Sequence, residues 1–312
     1  GQRNHPARAF HAADRGDIRV TPNLIETADN TNMTGILRAS AITQLTRLAP
    51  ERVMRSLPLW LESQDPLIRL AAAQASGQLP LTQRHLLLAP LVHDPVLAVR
   101  MATAEQLAEM SSASENGQTN GLQTLFDEYI AVQSQHQDMP SVLTQLSSFE
   151  QARGNVQTAQ ALLETALNKN PQASTTRVNL ADLHRSLGDD TTAKTTLEAG
   201  LKVNNEDGAL WFSLGLLEIR QGNPIRALEA LGKAATLEET PGYFHYVYAV
   251  AQHDQGKRSA ALNTLQKTHS AAPGQPMILS ALLQYNQLAG NQAAAERYRA
   301  ELNATLKASG LQ

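Results

Sequence analysis

The chain has 312 residues, of which 42% are hydrophobic, 18% charged and only 4% aromatic. A core drawn mainly from Ala and Leu favours closely packed helices over a β-sandwich, and the length suits about two domains or one elongated array. A net charge of −3 argues against a general nucleic-acid partner, and the absence of Cys excludes disulfides, thiolate metal sites, cysteine nucleophiles and covalent haem attachment within this chain. No apolar run approaches the ~20 residues that cross a bilayer, so no membrane insertion is expected. No signal peptide is visible, and Gly1-Gln2 reads as the start of an excised piece rather than of a natural chain.

Residues 1–30 predict two short helices, at 6–14 and 21–29, packed on the first unit of an array. Arg38, Arg69 and Arg100 stand 31 residues apart, and each opens an Ala-rich helix: RASAITQL, RLAAAQAS and RMATAEQL. Asp65-Pro66 and Asp94-Pro95 supply an N-cap followed by proline at the first helical position, where its missing N–H costs nothing. Apolar-periodic segments at 51–62 and 81–92 lie between. The spacing invites an Asp–Arg ladder between units, a structural role. This pattern resembles a HEAT-type solenoid of two-helix repeats.

Residues 111–121 (SSASENGQTNG) are polar and read as a loop, and 122–135 as a bridging helix. The chain then divides into a HEAT-like domain with N-terminal helices (1–115), a linker with bridging helix (116–139) and a second array (140–312).

In that array Gly154, Gly188, Gly222, Gly256 and Gly290 recur every 34 residues, each followed five positions on by Ala159, Ala193, Ala227, Ala261 or Ala295. Internal periodicity of this kind makes each unit a helix pair that buries its apolar face only by stacking. The glycine ends the first helix in a left-handed conformation. Asn155, Asp189, Asn223 and Asn291 follow and are expected to cap the second helix. Ser147, Ala181, Gly215 and Ala249 let paired helices approach, with Leu283 as the misfit, while Leu163, Leu197, Leu231 and Leu265 fill the seams. The pattern resembles the tetratricopeptide repeat over about 140–306, best in 208–241 with Trp211, Leu214, Gly215, Gly222, Ala227 and Ala234. Arg177 and His245 stand where an aromatic is common, and Arg299 replaces a seam residue, as in a terminal capping unit. The fold class expected is all-α: an α-α superhelix, or solenoid, of HEAT-like repeats followed by about five tetratricopeptide repeats.

Chemistry-bearing motifs do not emerge. No HExxH, GxSxG, Walker A or GxGxxG pattern occurs, and the GDD at 188–190 falls in register as a turn plus cap. His5 and His11 read as exposed or hydrogen-bonded, with ligation of an upstream haem iron as the alternative. No enzyme activity is expected.

The first helix of each tetratricopeptide unit is expected to line an inner groove. Candidate peptide-binding residues are Asn179, Asp182, Arg185, Phe212, Arg220, Tyr243, Tyr246 and His253. Asn179 matches the asparagine with which peptide-binding members of the repeat family hold a ligand backbone, since an amide donates and accepts at once; the alternative is a hydrogen bond within the array. Arg185 and Arg220 suit a carboxylate, although Thr144 and Ser148 replace the family's clamp lysines. Phe212, Tyr243 and Tyr246 are either a binding hot spot or packing between units.

The phrases AFHAADRGD, RVNLADLHRSLGDD, LGLLEIRQG and YVYAVAQHDQG, in this order, resemble the C-terminal region of bacterial multihaem cytochrome c proteins carrying tetratricopeptide repeats. That resemblance implies a periplasmic setting beside a haem domain lying upstream, with no cofactor in this chain. Its partner would be a protein or peptide, with a cytochrome c domain among the candidates. The leading expectation is a non-enzymatic interaction scaffold. The alternatives are a docking or oligomerisation module with no free ligand, and a cytochrome c assembly factor.

Overall fold

The computed structural model describes residues 6–113, 120–237 and 242–310, and among these it is built of helices with no strand. His5, and residues 114–119 of the expected loop, lie outside the described residues. The helices are α1 (Pro6–Asp14), α2 (Thr21–Asp29), α3 (Gly35–Leu48), α4 (Pro50–Leu61), α5 (Pro66–Ala75), α6 (Leu81–Leu88), α7 (Leu97–Leu107), α8 (Met110–Ala113), α9 (Asn120–Ser134), α10 (Pro140–Ala152) and α11 (Val156–Lys169). They continue as α12 (Ser174–Ser186), α13 (Asp190–Val203), α14 (Gly208–Arg220), α15 (Pro224–Thr236), α16 (Gly242–Asp254), α17 (Arg258–Ala271), α18 (Pro276–Leu288) and α19 (Gln292–Ala308). The chain forms two compact units: Gly1–Asp14 with Val20–Leu162, and Arg15–Arg19 with Leu163–Gln312. The sequence changes period at 140, whereas the units divide inside α11.

In the first unit α3 packs on α5, α5 on α7 and α7 on α9, so the 31-residue spacing becomes a stack of equivalent helices. Ile42, Leu45, Leu57, Ile68, Leu88 and Leu107 are fully buried in its core. The Asp65 side chain caps α5 by accepting from the Leu67 amide at 2.9 Å. The ladder has one full Asp–Arg rung. Arg69 donates from Nε and Nη2 to Asp94 at 2.7 and 3.0 Å, and from Nη1 to the Ser63 carbonyl at 2.7 Å. Arg100 repeats the carbonyl bond at 2.7 Å to Asp94, but its carboxylate partner is Glu128 of α9, which stands in for the next repeat. Arg38 departs from the pattern and donates to the Ala28 carbonyl at 2.9 Å. The apolar-periodic segment at 81–92 is α6 followed by a 3-10 turn at Ala89–His93, because Pro90 removes an amide that an α-helix needs. His11 is exposed near the end of α1.

The hairpin α10–α11 opens the 34-residue series. Its Phe149 packs against Tyr129 and Phe126 of α9, with ring centroids 4.2 and 5.7 Å apart. The hairpins α12–α13, α14–α15, α16–α17 and α18–α19 form the second unit, which also holds the short segment 15–19: Ile18 N donates to the Gly274 carbonyl at 3.1 Å. All five hairpin glycines have φ between +72° and +86°. At each turn the residue after the glycine donates its amide five residues back, as Asp189 does to His184 and Asn223 to Glu218, which satisfies an orphan helical carbonyl.

The alanines five positions on are all buried, and at Gly215 an added Cβ would stand 2.6 Å from Leu231 Cγ. Helix approach at that point therefore depends on the missing side chain. Arg177, where an aromatic is common, lies over Gly200, whose added Cβ would run into Arg177 Cδ. Arg299 is exposed, as suits a terminal unit.

The expected caps divide. Asp189 accepts from the Thr192 amide at 2.9 Å and Asn291 from the Ala294 amide at 3.4 Å. Asn155 and Asn223 do not cap. Each turns back and donates Nδ2 to a buried glutamate of the preceding helix, Glu150 at 2.6 Å and Glu218 at 2.9 Å. A buried carboxylate without partners costs more than an uncapped amide at a wet helix end.

Candidate functional site

Between α12 and α14 lies a recess of about 550 Å³. Its floor is apolar, made by Ala181 of α12, Ala193 and Leu197 of α13, and Phe212 and Leu217 of α14. Its rim carries Asp182, Arg185, Ser213, Leu216 and Arg220. Four of the eight residues singled out from the sequence, Asp182, Arg185, Phe212 and Arg220, therefore converge on one cavity. Leu216 and Ile219 are large apolar residues of α14 left 40% and 48% exposed, unusual beside charged neighbours.

Both rim arginines are held by carboxylates. Arg185 Nε donates to Asp182 at 3.0 Å, one turn back on α12. Arg220 Nε donates to both oxygens of Asp190, at 3.0 and 3.1 Å. Asp190 belongs to the GDD turn, and there it orients an arginine of the next hairpin. Both guanidinium groups use Nε, and neither makes an Nη hydrogen bond to the described residues. Their Nη edges remain for a ligand carboxylate. Below the rim, Glu218 is 3% exposed and paired with Lys194 of α13. Burial pushes its carboxyl up, but the bonds from Lys194 and Asn223 more than offset this and hold it below the usual range.

Asn179 is half-buried on α12 and makes no hydrogen bond to the described residues, so its amide is not spent inside the array. The aromatics divide differently. Phe212 stacks flat on Phe244 of α16, centroids 4.0 Å apart at 4°, and meets Tyr243 edge-on at 5.6 Å. Phe212 thus joins one hairpin to the next and also forms the recess floor. Tyr243 is half exposed and stacks on Tyr246 at 6.3 Å. Neither tyrosine lines the recess, nor does His253, which stacks on Tyr285 of α18 at 4.0 Å. Burial lowers the His245 imidazole below its ordinary value. Phe244 and Asp190 were not among the expected residues. Phe244 lacked a signal because it is one residue off the inward register, and Asp190 because its partner lies 30 residues away. Among the described residues no group of three metal-ligating side chains comes together, and no helix is long and apolar enough to cross a membrane.

Helix pairs of 34 residues closed by left-handed glycines define an α-solenoid of the tetratricopeptide kind. Residues 151–215 match the tetratricopeptide repeat family model, so that stretch carries the repeat. Solved structures that align with the chain include the protein named MamA, at 16% identity over 54% of this chain and 92% of that one with a TM-score of 0.45. YrrB, described as a TPR protein with an unusual peptide-binding site, aligns at 16% identity over 56% of this chain and 90% of that one, TM-score 0.43. Pseudomonas aeruginosa pilF aligns at 14% identity over 67% and 92%, TM-score 0.45. No curated protein matches the sequence.

Proposed function

We propose that the chain is a non-enzymatic scaffold that binds a polypeptide segment of a partner protein in the groove of its second unit. The observation behind this reading is the α12–α14 recess, with an apolar floor, two oriented arginines on its rim and the unspent amide of Asn179 on the same helix. An apolar side chain of the segment would enter over Phe212 and Leu217. A neighbouring carboxylate would take the Nη edges of Arg185 or Arg220, and Asn179 would hold the segment's backbone. Burying one large side chain contributes about 1.5–3 kcal/mol and a charge-assisted bond about as much, so the backbone contacts to Asn179 and further contacts along the segment are needed to overcome the cost of association.

The resemblance to multihaem cytochrome c proteins extends the proposal. The compartment would be the periplasm, and a cytochrome c domain would be a neighbour or partner. No cofactor is assigned to this chain.

The test places a photo-reactive benzoylphenylalanine at Ser213 on the rim, and a second at Lys202 on α13 as control. On irradiation in a periplasmic extract, the Ser213 probe is expected to capture a discrete polypeptide that the control does not. Equal capture at both positions, or none at Ser213, overturns the reading.

A further inference from the structure

The first unit has a recess of its own, about 250 Å³, lined by Glu105 of α7 and by Gln145, Ser148, Phe149 and Ala152 of α10. Glu105 Oε1 accepts from the hydroxyl of fully buried Tyr129 at 2.8 Å. Its other oxygen has no hydrogen-bond partner among the described residues. Among the described residues no cation pairs with it either. Arg153, at the end of α10, is spent on Glu150 and Ser111. Burial accordingly pushes the Glu105 carboxyl above its usual value, and the Tyr129 hydroxyl, the only partner acting against this, does not reverse it. A carboxylate in a recess without a countercharge is an unmet electrostatic demand.

The other walls indicate which cation meets it. Ser148 gives its hydroxyl hydrogen to the Thr144 carbonyl at 3.2 Å, so its lone pairs are left to accept. Gln145 stands one turn before Ser148 on the exposed face of α10 and offers an amide oxygen. With the open oxygen of Glu105 these make three separate acceptors, matching the three donors of an ammonium group. A guanidinium is a poorer fit, because its donors lie in one plane, whereas these acceptors stand on two different helices and suit the three rotatable donors of an ammonium. Ala152 and the edge of Phe149 form an apolar wall for a methylene stem, while the Phe149 ring face is taken up by Tyr129 and by the Arg153 guanidinium, 5.5 Å from its centroid.

We propose that this recess binds a lysine side chain of a partner polypeptide, its ammonium group seated between Glu105, Ser148 and Gln145. It is a second docking point, independent of the α12–α14 groove.

The test is a titration of the full chain, carrying 13C-methyl alanine, with N-acetyl-lysine methylamide and with the norleucine analogue that lacks the charge. The Ala152 methyl resonance is expected to shift saturably with the lysine compound. The norleucine compound, and the lysine compound against Glu105→Gln, are expected to bind at least about tenfold more weakly. Equal binding of the two compounds, an unchanged affinity in Glu105→Gln, or no shift up to about 50 mM ligand overturns the proposal. Ser148→Leu, on the exposed face, narrows the recess without touching the Tyr129 bond. It is expected to give the same loss, and it serves as the deciding variant if Glu105→Gln does not fold.

Discussion

Asp94 closes on Arg69 with two hydrogen bonds, 2.7 and 3.0 Å, while its Oδ1 also receives the Val96 amide at 2.9 Å. One carboxylate thus shapes the lead into α7 and anchors α5 of the repeat before it. Its side chain is 3% exposed. Burial alone would raise its pKa, but the Arg69 and Val96 bonds prevail and lower it. A folded-state value below the unfolded one makes a contribution that is complete above about pH 4 and lost as pH falls through the folded value. Asp94→Asn is therefore expected to lower the urea midpoint at pH 7 and to leave a flatter acid limb, so that variant and wild type converge near pH 2. Asp94→Ala, which strands Arg69, is expected to cost about 3–5 kcal/mol. Circular dichroism melts across pH check both.

Glu105 carries the opposite sign. Its carboxyl is raised by burial, so the folded state holds that proton more tightly than the unfolded chain. The contribution is present at low pH and fades as pH rises through the folded value. Glu105→Gln keeps an acceptor for the Tyr129 hydroxyl and removes the charge. It is expected to match the wild type near pH 4 and to be the more stable protein at pH 8, by less than about 1 kcal/mol because the group is partly solvated. A lower urea midpoint for the variant at pH 8 contradicts this.

How far the sequence reached follows from the range of each interaction. The hairpin glycines, the buried alanines and the 31-residue arginines are set by backbone geometry within one repeat, and repetition makes such a constraint visible. Asn155 and Asn223 depart from the expected capping because capping is a local rule, and the glutamates that claim them are buried only once the hairpins pack. In the groove the same division holds. Arg185, Arg220, Asp182 and Phe212 were legible from the helical register, and the recess joins them. That Arg220 is held by Asp190, and that Phe212 stacks on Phe244, are relations between different repeats, and no spacing within one repeat encodes them.

Two glycines separate steric from conformational cost. At Gly215 an added Cβ meets Leu231 Cγ at 2.6 Å, whereas at Gly222 nothing lies within 4 Å but φ is +72°. Gly215→Ala is expected to cost about 1–3 kcal/mol by forcing α14 from α15. Gly222→Ala is expected to cost about 1–2 kcal/mol through left-handed strain alone. Gly222→Asn recovers most of that loss, since Asn tolerates this conformation, while Gly215→Asn recovers nothing. Because repeat arrays unfold in stages, hydrogen exchange within α14 and α15 is the appropriate readout.

Lys194 and Glu218 test whether a buried pair serves stability or register. Lys194→Met leaves Glu218, 3% exposed, without its cation, and is expected to cost about 3–5 kcal/mol. Adding Glu218→Leu removes the stranded charge and is expected to recover most of it, leaving Asn223 free to cap α15. A double variant as unstable as Lys194→Met alone would place the cost in lost packing instead.

The groove makes the sharpest demand. If a segment binds in the α12–α14 recess, Arg185→Gln with Arg220→Gln is expected to weaken it at least about tenfold and to flatten its dependence on salt, because charge-assisted bonds of about 1.5–3 kcal/mol are removed. Tyr243→Ala with Tyr246→Ala is then expected to change affinity by less than about threefold, since neither ring lines the recess. Binding across the aromatic face of α16 predicts the reverse order. Asn179→Ala separates the modes further. A segment held by its backbone loses affinity whatever its sequence, whereas one held only by an inserted side chain and a carboxylate does not. Anisotropy titrations of the photo-captured segment against these variants, at low and high salt, assign the site by which pair fails.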